Sequence, residues 1–245
     1  MNLKEKVVVI TGATGGIGSE LSKAFSQKGA RLVLISRNED KLKDLITKLD
    51  GSRHEYIIYD FRNQDNFEEL IKELRDKADN IDVLINNAGI GVYKSLEEAE
   101  EKDWADSINI NATFPFLLTK KLLPILQKSE KGIVLNVGSG MGKIPSAGRS
   151  VYCASKFALR GLSLSLSKEY KGTNIHFVLV TLGSTLTDFG PMTLKEKQEE
   201  SLKGKAYFTP EWVAKKFVEL IEKDEFEDEI ELYPSEYTGK EWRAS

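Results

Sequence analysis

A tyrosine and a lysine four positions apart, Tyr152 and Lys156, lie in a segment whose spacing predicts a helix. Residues at i and i+4 share one face of a helix, so the phenol and the ammonium would point the same way. A phenol titrates near ~10, but a nearby cation favours the phenolate and brings tyrosine towards use as a proton donor and acceptor. Taken alone, such a pair is common and more often belongs to a solvated helix face.

A glycine-rich turn follows the first apolar run of the chain. Residues 7–10 are β-branched and predict a buried strand. Glycines between a strand and a helix permit a tight bend and let a pyrophosphate approach the helix N-terminus. The spacing matches neither the Gly-x-Gly-x-x-Gly fingerprint nor the P-loop, and glycines that serve packing alone are the alternative. The turn predicts cofactor contacts at Gly12, Thr14, Gly15, Gly16, Ile17 and Gly18.

The second predicted strand ends in Ser36, which Arg37 follows. An acidic residue here would accept hydrogen bonds from a ribose 2′-hydroxyl, and Ser36 is not acidic. Arg37 instead offers a planar guanidinium group that suits a 2′-phosphate. The two residues predict NADP(H) rather than NAD(H), the alternative being an exposed arginine at a strand end.

A regular succession of strands and helices must hold these residues. Strands are predicted at 7–10, 31–36, 56–60, 82–86, 132–137, 175–182 and 230–233, and helices at 16–28, 39–49, 67–74, 104–127, 152–170 and 210–222. Strands this apolar, each followed by a helix, predict a parallel sheet that is covered on both faces. We therefore expect an α/β fold of doubly wound (Rossmann) type, with seven parallel strands in a single domain over residues 1–245.

Composition excludes several classes of protein. The 35 Lys and Arg residues against 38 Asp and Glu residues leave a net charge of −3, without the basic excess that nucleic acid requires. No apolar run approaches the ~20 residues of a membrane helix. A lone cysteine, Cys153, excludes an internal disulfide, favours a cytoplasmic protein and predicts a buried thiol. His54 and His176 lie too far apart in sequence to predict a metal site.

One segment interrupts the alternation of strands and helices. Residues 184–209 contain Phe189, Met192 and a charged run at 195–200. Long connections in compact domains are often functional, so the segment predicts a lid over a substrate cleft. A surface helix between loops is the alternative.

Five motifs together resemble those of the short-chain dehydrogenase/reductase family, in the same order and over nearly the whole chain. They are the glycine turn, the run Asn86-Asn87-Ala88-Gly89, Asn111 seven residues after Trp104, Ser139 thirteen residues before Tyr152, and the pair Tyr152 and Lys156. Each motif is weak by itself, but their order is specific.

The resemblance implies roles for these residues. Tyr152 would exchange a proton with the substrate oxygen, and Ser139 would hydrogen-bond that oxygen. Lys156 would lower the pKa of Tyr152 and hold the nicotinamide ribose. Asn111 would position a water molecule that links Lys156 to solvent, with Asn109 as a second candidate. Further cofactor contacts are implied at Asp60, Phe61, Asn87, Ala88, Gly89, Gly183, Thr185 and Thr187.

The resemblance also implies a mostly apolar substrate pocket that contains one cation. This composition favours a hydrophobic ketone, either with an anionic end near Arg149 or with Arg149 simply exposed. The expected lining is Tyr93, Ser139, Met141, Ile144, Arg149, Phe189 and Met192. The family usually forms dimers or tetramers through the long helices on either side of Ser139, so a homodimer or homotetramer is expected. The apolar residues of those helices fit either a core or an interface: Phe114, Phe116, Leu159 and Leu162.

These expectations lead to a carbonyl reductase that transfers a hydride between NADP(H) and a ketone or secondary alcohol. Leu182-Gly183 replaces the Pro-Gly common in the family and loses the fixed φ of proline. Residues 230–234 lack the Gly-Gly common among 3-oxoacyl carrier-protein reductases. A 3-oxoacyl thioester reductase stays an alternative, as does a non-enzymatic NADP(H)-binding sensor or scaffold. Epimerase or dehydratase chemistry is less favoured, because 245 residues leave little room for a larger substrate domain.

Overall fold

The computed structural model describes residues 1–223 and 225–235, in which strands and helices alternate. Residues 224 and 236–245 of the expected domain lie outside this described part. The strands are β1 (Val7–Thr11), β2 (Arg31–Ser36), β3 (Glu55–Ile58), β4 (Val83–Asn86), β5 (Gly132–Val137), β6 (Ile175–Leu182) and β7 (Glu229–Leu232). The helices are α1 (Gly16–Gln27), α2 (Glu39–Ile46), α3 (Phe67–Lys77), α4 (Glu101–Ile108), α5 (Phe114–Leu126), α6 (Ser150–Glu169), α7 (Leu194–Leu202) and α8 (Pro210–Lys223).

The seven described strands form one parallel sheet in the order β3-β2-β1-β4-β5-β6-β7. Every residue of β1, β4 and β5 is buried, as expected where helices cover both faces of a parallel sheet. The predicted fold class, a doubly wound α/β domain, is confirmed. The strand order reverses between β1 and β4, and in such sheets ligands bind at the carboxyl ends of the strands flanking this point.

Two hydrophobic cores lie on opposite faces of the sheet. The first contains Leu21 and Phe25 of α1 and Phe217 of α8. The second contains Phe114 of α5, which is almost fully buried, and residues of α3. Both cores pack against alternate side chains of the central strands, and this packing fixes the positions of the loops at the carboxyl edge.

The single helix predicted over 104–127 is not continuous. Helix α4 begins at Glu101, after a capping box between Glu100 and Asp103. A π turn, Asn109–Thr113, then separates α4 from α5. Wider turns of this kind are frequent at functional sites, and apolar periodicity does not reveal them. Other predicted boundaries differ by a few residues, as helix and strand ends commonly do.

The segment 184–209 has regular structure of its own. It contains helix α7, and Thr185 pairs with Phe208 in an isolated parallel bridge. None of the helices among the described residues is both long enough and apolar enough to cross a membrane.

Candidate active site

The glycine turn and the end of β4 meet where the strand order reverses. The side-chain amide of Asn87 donates to the carbonyl oxygens of Thr11 at 3.0 Å and Gly12 at 3.2 Å. Gly12 has φ +65°, and a Cβ atom here would lie 2.8 Å from Cα of Ala88. A side chain at this position would therefore clash with backbone, and only glycine permits the close approach of the two loops.

The N-terminus of α1 faces this crevice. Gly15 precedes the helix, and among the described residues no side chain caps it and no acidic residue occupies its first turn. Uncapped amides at a helix N-terminus bind anions, because the donors and the helix dipole act together. At the side of the turn, the hydroxyls of Thr14 and Ser36 share a 2.6 Å hydrogen bond. The turn fits the diphosphate of a dinucleotide.

Charged residues lie at the carboxyl end of β3. The guanidinium Nε of Arg62 donates to both carboxylate oxygens of Asp60, at 3.0 and 3.2 Å. This hydrogen bonding, with a smaller contribution from Arg37, lowers the pKa of Asp60 to about 2. The predicted contact Phe61 is buried and packs against Phe114, with ring centroids 4.4 Å apart. Phe61 could therefore reach a nucleotide only through its backbone.

Tyr152 lies on the first turn of α6, almost fully buried. The side chain of Ser139 lies close enough to its hydroxyl to affect the pKa of Tyr152. Its ring lies 5.7 Å from that of Tyr93 and 6.0 Å from that of Phe189, measured between centroids. Burial raises the pKa of Tyr152 above its usual value, Tyr93 adds to this effect, and the neighbouring side chain of Ser139 opposes it.

Lys156 lies one helical turn beyond Tyr152 and is also buried. Its ammonium donates to the carbonyl oxygen of Val137 at 2.9 Å and lies 6.0 Å from the centre of the Tyr152 ring. Burial lowers the pKa of Lys156 to about 8. We expected Lys156 to lower the pKa of Tyr152, and the direction found for Tyr152 is the opposite. The physical reason is that burial disfavours the phenolate more than the surroundings stabilise it.

Asn111 lies in the π turn, fully buried. Its amide accepts from the backbone N–H of Ile90 at 2.9 Å and donates to the carbonyl of Ile90 at 2.8 Å and to the hydroxyl of Ser155 at 2.9 Å. A Cβ atom at Gly89 would lie 3.1 Å from Oδ1 of Asn111 and 3.7 Å from Nζ of Lys156. The second candidate, Asn109, instead accepts a hydrogen bond from Gln64 away from this group.

The residues predicted to line the substrate pocket differ in how closely they pack around Tyr152 and in how exposed they are. The guanidinium of Arg149 lies 5.4 Å from the centre of the Tyr93 ring. Met141 forms a small buried cluster with Tyr152 and Cys153, so the lone thiol is packed as expected. Ile144 is 47% exposed, and Met192 is half-buried.

The loop after β6 lies against the glycine turn. A Cβ atom at Gly16 would lie 2.5 Å from Cγ2 of Thr187, which is buried. The hydroxyl of Thr185 donates to the carbonyl of Gly183 at 3.3 Å. The loop therefore brings Thr187 to the glycine turn, whereas the hydroxyl of Thr185 is hydrogen-bonded within the loop, to the carbonyl of Gly183.

The geometry thus brings together a buried phenol, a serine hydroxyl, an ammonium and an uncharged amide, opposite a turn that fits a diphosphate. The family model for short chain dehydrogenases matches the sequence of residues 6–198. The chain belongs to the short-chain dehydrogenase family. The residues that resemble the family's motifs lie around the carboxyl ends of the central strands.

Individual relatives and a solved structure are 28–34% identical to this chain over the aligned residues. An uncharacterized oxidoreductase of Thermotoga maritima is 34% identical over 190 residues, which cover 77% of this chain and 75% of the relative. The 3-oxoacyl-[acyl-carrier-protein] reductase of the same organism is 33% identical over 205 residues, covering 82% of each chain. An alcohol dehydrogenase from Thermococcus sibiricus, complexed with 5-hydroxy-NADP, is 28% identical with a TM-score of 0.82, covering 93% of this chain and 95% of that one.

Two residues at the carboxyl edge of the sheet were not predicted from the sequence to be part of the site. Arg62 is recognisable only once the structure shows its pairing with Asp60. Lys197 lies in the charged run of the predicted lid, yet it is buried. A lysine among charged neighbours normally indicates a solvated face, so nothing in the pattern distinguished it.

Proposed function

We propose that this chain is an NADP(H)-dependent oxidoreductase that interconverts a ketone and a secondary alcohol, with Tyr152 as proton donor and acceptor. The observation that carries the proposal is the buried pair of Tyr152 and Lys156, whose ammonium lies 6.0 Å from the centre of the phenol ring, with Ser139 and Asn111 beside them. NADP(H), when bound, supplies or accepts the hydride. The raised pKa of Tyr152 keeps its phenol protonated, so a proton is available for the carbonyl oxygen in reduction.

The neighbours of Tyr152 support this proton transfer. Ser139 can hydrogen-bond the same substrate oxygen and so fix its distance from the phenol. Lys156, with a pKa of about 8, can hold or release a proton near neutral pH, and its ammonium is available to a cofactor ribose. Asn111 lies next to the carbonyl of Ile90, where a bridging water could connect Lys156 to solvent.

The charges at the adenosine end favour NADP(H). Arg62 and Arg37 contribute two guanidinium groups beside the carboxylate of Asp60. Asp106, which also acts on Arg62, is itself paired with Lys102. These groups leave an excess of positive charge. Ser36 adds no negative charge that would repel a phosphate. A guanidinium group binds a phosphate through a planar fork, so Arg37 would contact the 2′-phosphate of the cofactor.

The substrate we propose is a largely apolar ketone. The rings of Tyr93 and Phe189 flank Tyr152, and Met141 packs beside it. Arg149 above Tyr93 is the cation that an anionic substituent would meet. Reduction of a 3-oxoacyl thioester is the second candidate, because the relative of that activity in Thermotoga maritima is 33% identical over most of its length.

The segment 184–209 would form one wall of this cleft and act as a lid. A homodimer or homotetramer is also part of the proposal. Of the apolar residues considered for an interface, Phe114 and Leu159 are buried within this chain, whereas Phe116 is 42% exposed, as an interface residue would be. We place the protein in the cytoplasm as a prediction only.

Steady-state kinetics test the proposal. NADPH and NADH are compared against a panel of apolar ketones, 3-oxo acids and a 3-oxoacyl thioester. We expect turnover of a ketone with a clear preference for NADPH. Preference for NADH would overturn the role of Arg37, and turnover of the thioester alone would favour the second candidate. Binding of NADPH without turnover of any carbonyl would favour a sensor or scaffold.

A further inference from the structure

Helix α7 is attached to the protein in an unusual way. Within Leu194–Leu202 the buried residue is Lys197, which is 7% exposed, and the other residues are exposed or half-buried. Burying an ammonium costs free energy, and an apolar side chain would attach a helix at less cost. The burial of Lys197 therefore points to a use of its hydrogen-bond donors.

Those donors bind the backbone of the loop after β6. The ammonium of Lys197 donates to the carbonyl oxygen of Thr187 at 2.6 Å and to that of Phe189. In return, the carboxylate of Asp188 accepts from the backbone N–H of Leu194, at the start of α7, at 3.0 Å. The loop and the helix thus hold each other through hydrogen bonds on both sides.

The loop held in this way joins the two halves of the candidate site. Thr187 contacts Gly16 of the cofactor turn, and the ring of Phe189 lies 6.0 Å from that of Tyr152. Gly190 then reverses the chain with φ +109°, a conformation that residues with a side chain rarely adopt. A Cβ atom at Gly190 would lie 3.9 Å from Nζ of Lys197, so the chain wraps closely around the ammonium.

The other end of the loop is held differently. The backbone N–H of Leu186 donates to the carbonyl of Phe208 at 2.9 Å, and the N–H of Phe208 donates to the carbonyl of Ser184 at 2.9 Å. These backbone bonds need no particular side chain. The tip, residues 187–189, is the part that a side chain of α7 contacts.

We propose that Lys197 is a positioning residue whose ammonium binds the two carbonyl groups on either side of Asp188 and fixes residues 187–189 across the cofactor turn and Tyr152. Closure of the cleft then depends on Lys197, although Lys197 touches neither cofactor nor substrate. The functional part rests on the proposed oxidoreductase activity. The structural part, the ordering of the loop tip, does not.

The test compares Lys197→Met with Lys197→Arg and with Lys195→Met. Methionine keeps the aliphatic stem but leaves both carbonyls without their donor, and arginine restores donors. Lys195 lies on the same helix and is exposed, so its substitution is a matched control. Hydrogen exchange of a peptide that covers residues 184–192 is measured on cofactor-free protein. We expect at least about tenfold faster exchange in Lys197→Met, partial rescue in Lys197→Arg and no change in Lys195→Met.

Kinetics provide the second readout. We expect the KM for the ketone to rise about tenfold in Lys197→Met, with a smaller decrease in kcat. Unchanged exchange at 184–192 in folded Lys197→Met overturns the proposal, and so does exchange in Lys197→Arg as fast as in Lys197→Met. If Lys197→Met does not fold, Lys197→Arg is compared with wild type: faster exchange at 184–192 in Lys197→Arg supports the proposal, and unchanged exchange overturns it. Faster exchange in an enzyme that turns over no carbonyl would refute the proposed function and leave the loop contact standing.

Discussion

The ammonium of Lys156 donates to the main-chain carbonyl oxygen of Val137 at 2.9 Å, in a buried position on the first turns of α6. This bond fixes the ammonium against the end of β5, one helical turn from Tyr152. Burial lowers the pKa of Lys156 to about 8, so its charge changes within a pH range that is accessible to measurement. The pKa of Tyr152 is shifted in the opposite direction, upwards, so its phenol does not titrate in that range.

The pH dependence of reduction should therefore follow Lys156. We expect kcat/KM for the ketone to be constant below pH 8 and to fall about tenfold per pH unit above it, because the ammonium loses its proton as pH rises through its pKa. Initial rates between pH 6 and 10, with NADPH saturating, give the profile. Lys156→Arg keeps its charge throughout this range, so its residual activity should show no such fall. A fall of equal midpoint in that variant would assign the titration to another group.

The pH dependence of the unfolding free energy should also reflect the ionisation of Lys156, and it can be measured without substrate. The pKa of Lys156 is about 8 in the folded protein against 10.5 for an ordinary lysine, so the unfolded chain binds the proton more tightly. The charged side chain then destabilises the fold by about 3 kcal/mol below pH 8, and this penalty disappears between pH 8 and 10.5. The unfolding free energy of wild type minus that of Lys156→Met should rise by about 3 kcal/mol from pH 7 to pH 10.5. Urea titrations measure it, and a difference independent of pH would contradict the burial argument.

Replacing Tyr152 by phenylalanine should abolish turnover by removing the proton donor. We expect a loss of about 10³-fold or more in kcat, with the dissociation constant for NADPH changed less than about threefold. Fluorescence titration of NADPH gives the binding constant separately from the rate. Tyr170→Phe is the control. Tyr170 lies at the C-terminal end of α6, far along the helix from Tyr152, and its ring packs against Phe177 of β6. Full activity in Tyr152→Phe would refute the proposed mechanism.

The sequence predicts much of this molecule because its signals are local. Apolar runs such as residues 7–10 define the strands, and the turn after them places the glycines. The spacing from Trp104 favours Asn111 over Asn109, and in the structure Asn111 is buried beside Ile90 whereas Asn109 is hydrogen-bonded to Gln64. Other features are local in sequence but are not marked by apolar periodicity. The π turn interrupts a continuous apolar pattern, Arg62 pairs with Asp60 two residues away in a loop, and Lys197 is buried by the loop that precedes its own helix.

A methyl group added at Gly89 should disturb the centre of the site without unfolding the protein. Its Cβ would lie 3.1 Å from Oδ1 of Asn111 and 3.7 Å from Nζ of Lys156. We expect Gly89→Ala to lower kcat/KM at least about tenfold, because small displacements of positioned groups have large effects on rate. Gly161, within α6, has no atoms within 4 Å of an added Cβ among the described residues, so Gly161→Ala is the control. That variant should keep its activity and gain about 1 kcal/mol in stability. If kcat/KM is the same in Gly89→Ala and Gly161→Ala, the space beside Gly89 has no role in catalysis.

Cofactor choice should depend on Arg37 directly and on Arg62 through Asp60. Loss of Arg37 removes the proposed phosphate contact, so Arg37→Ala should lower kcat/KM for NADPH by roughly thirtyfold, about 2 kcal/mol, and leave that for NADH nearly unchanged. Arg62→Ala leaves the carboxylate of Asp60 without its partner and should lower the NADPH preference by a smaller factor, because the uncompensated charge repels the phosphate.

The ratio of kcat/KM for NADPH to that for NADH measures both effects. Arg53→Ala serves as the control, because Arg53 is exposed and pairs with Glu5 before the first strand. The double variant Asp60→Asn with Arg62→Ala removes both charges and should recover part of the lost preference. A double variant no better than Arg62→Ala alone would show that Arg62 acts by direct contact with the cofactor rather than by neutralising Asp60.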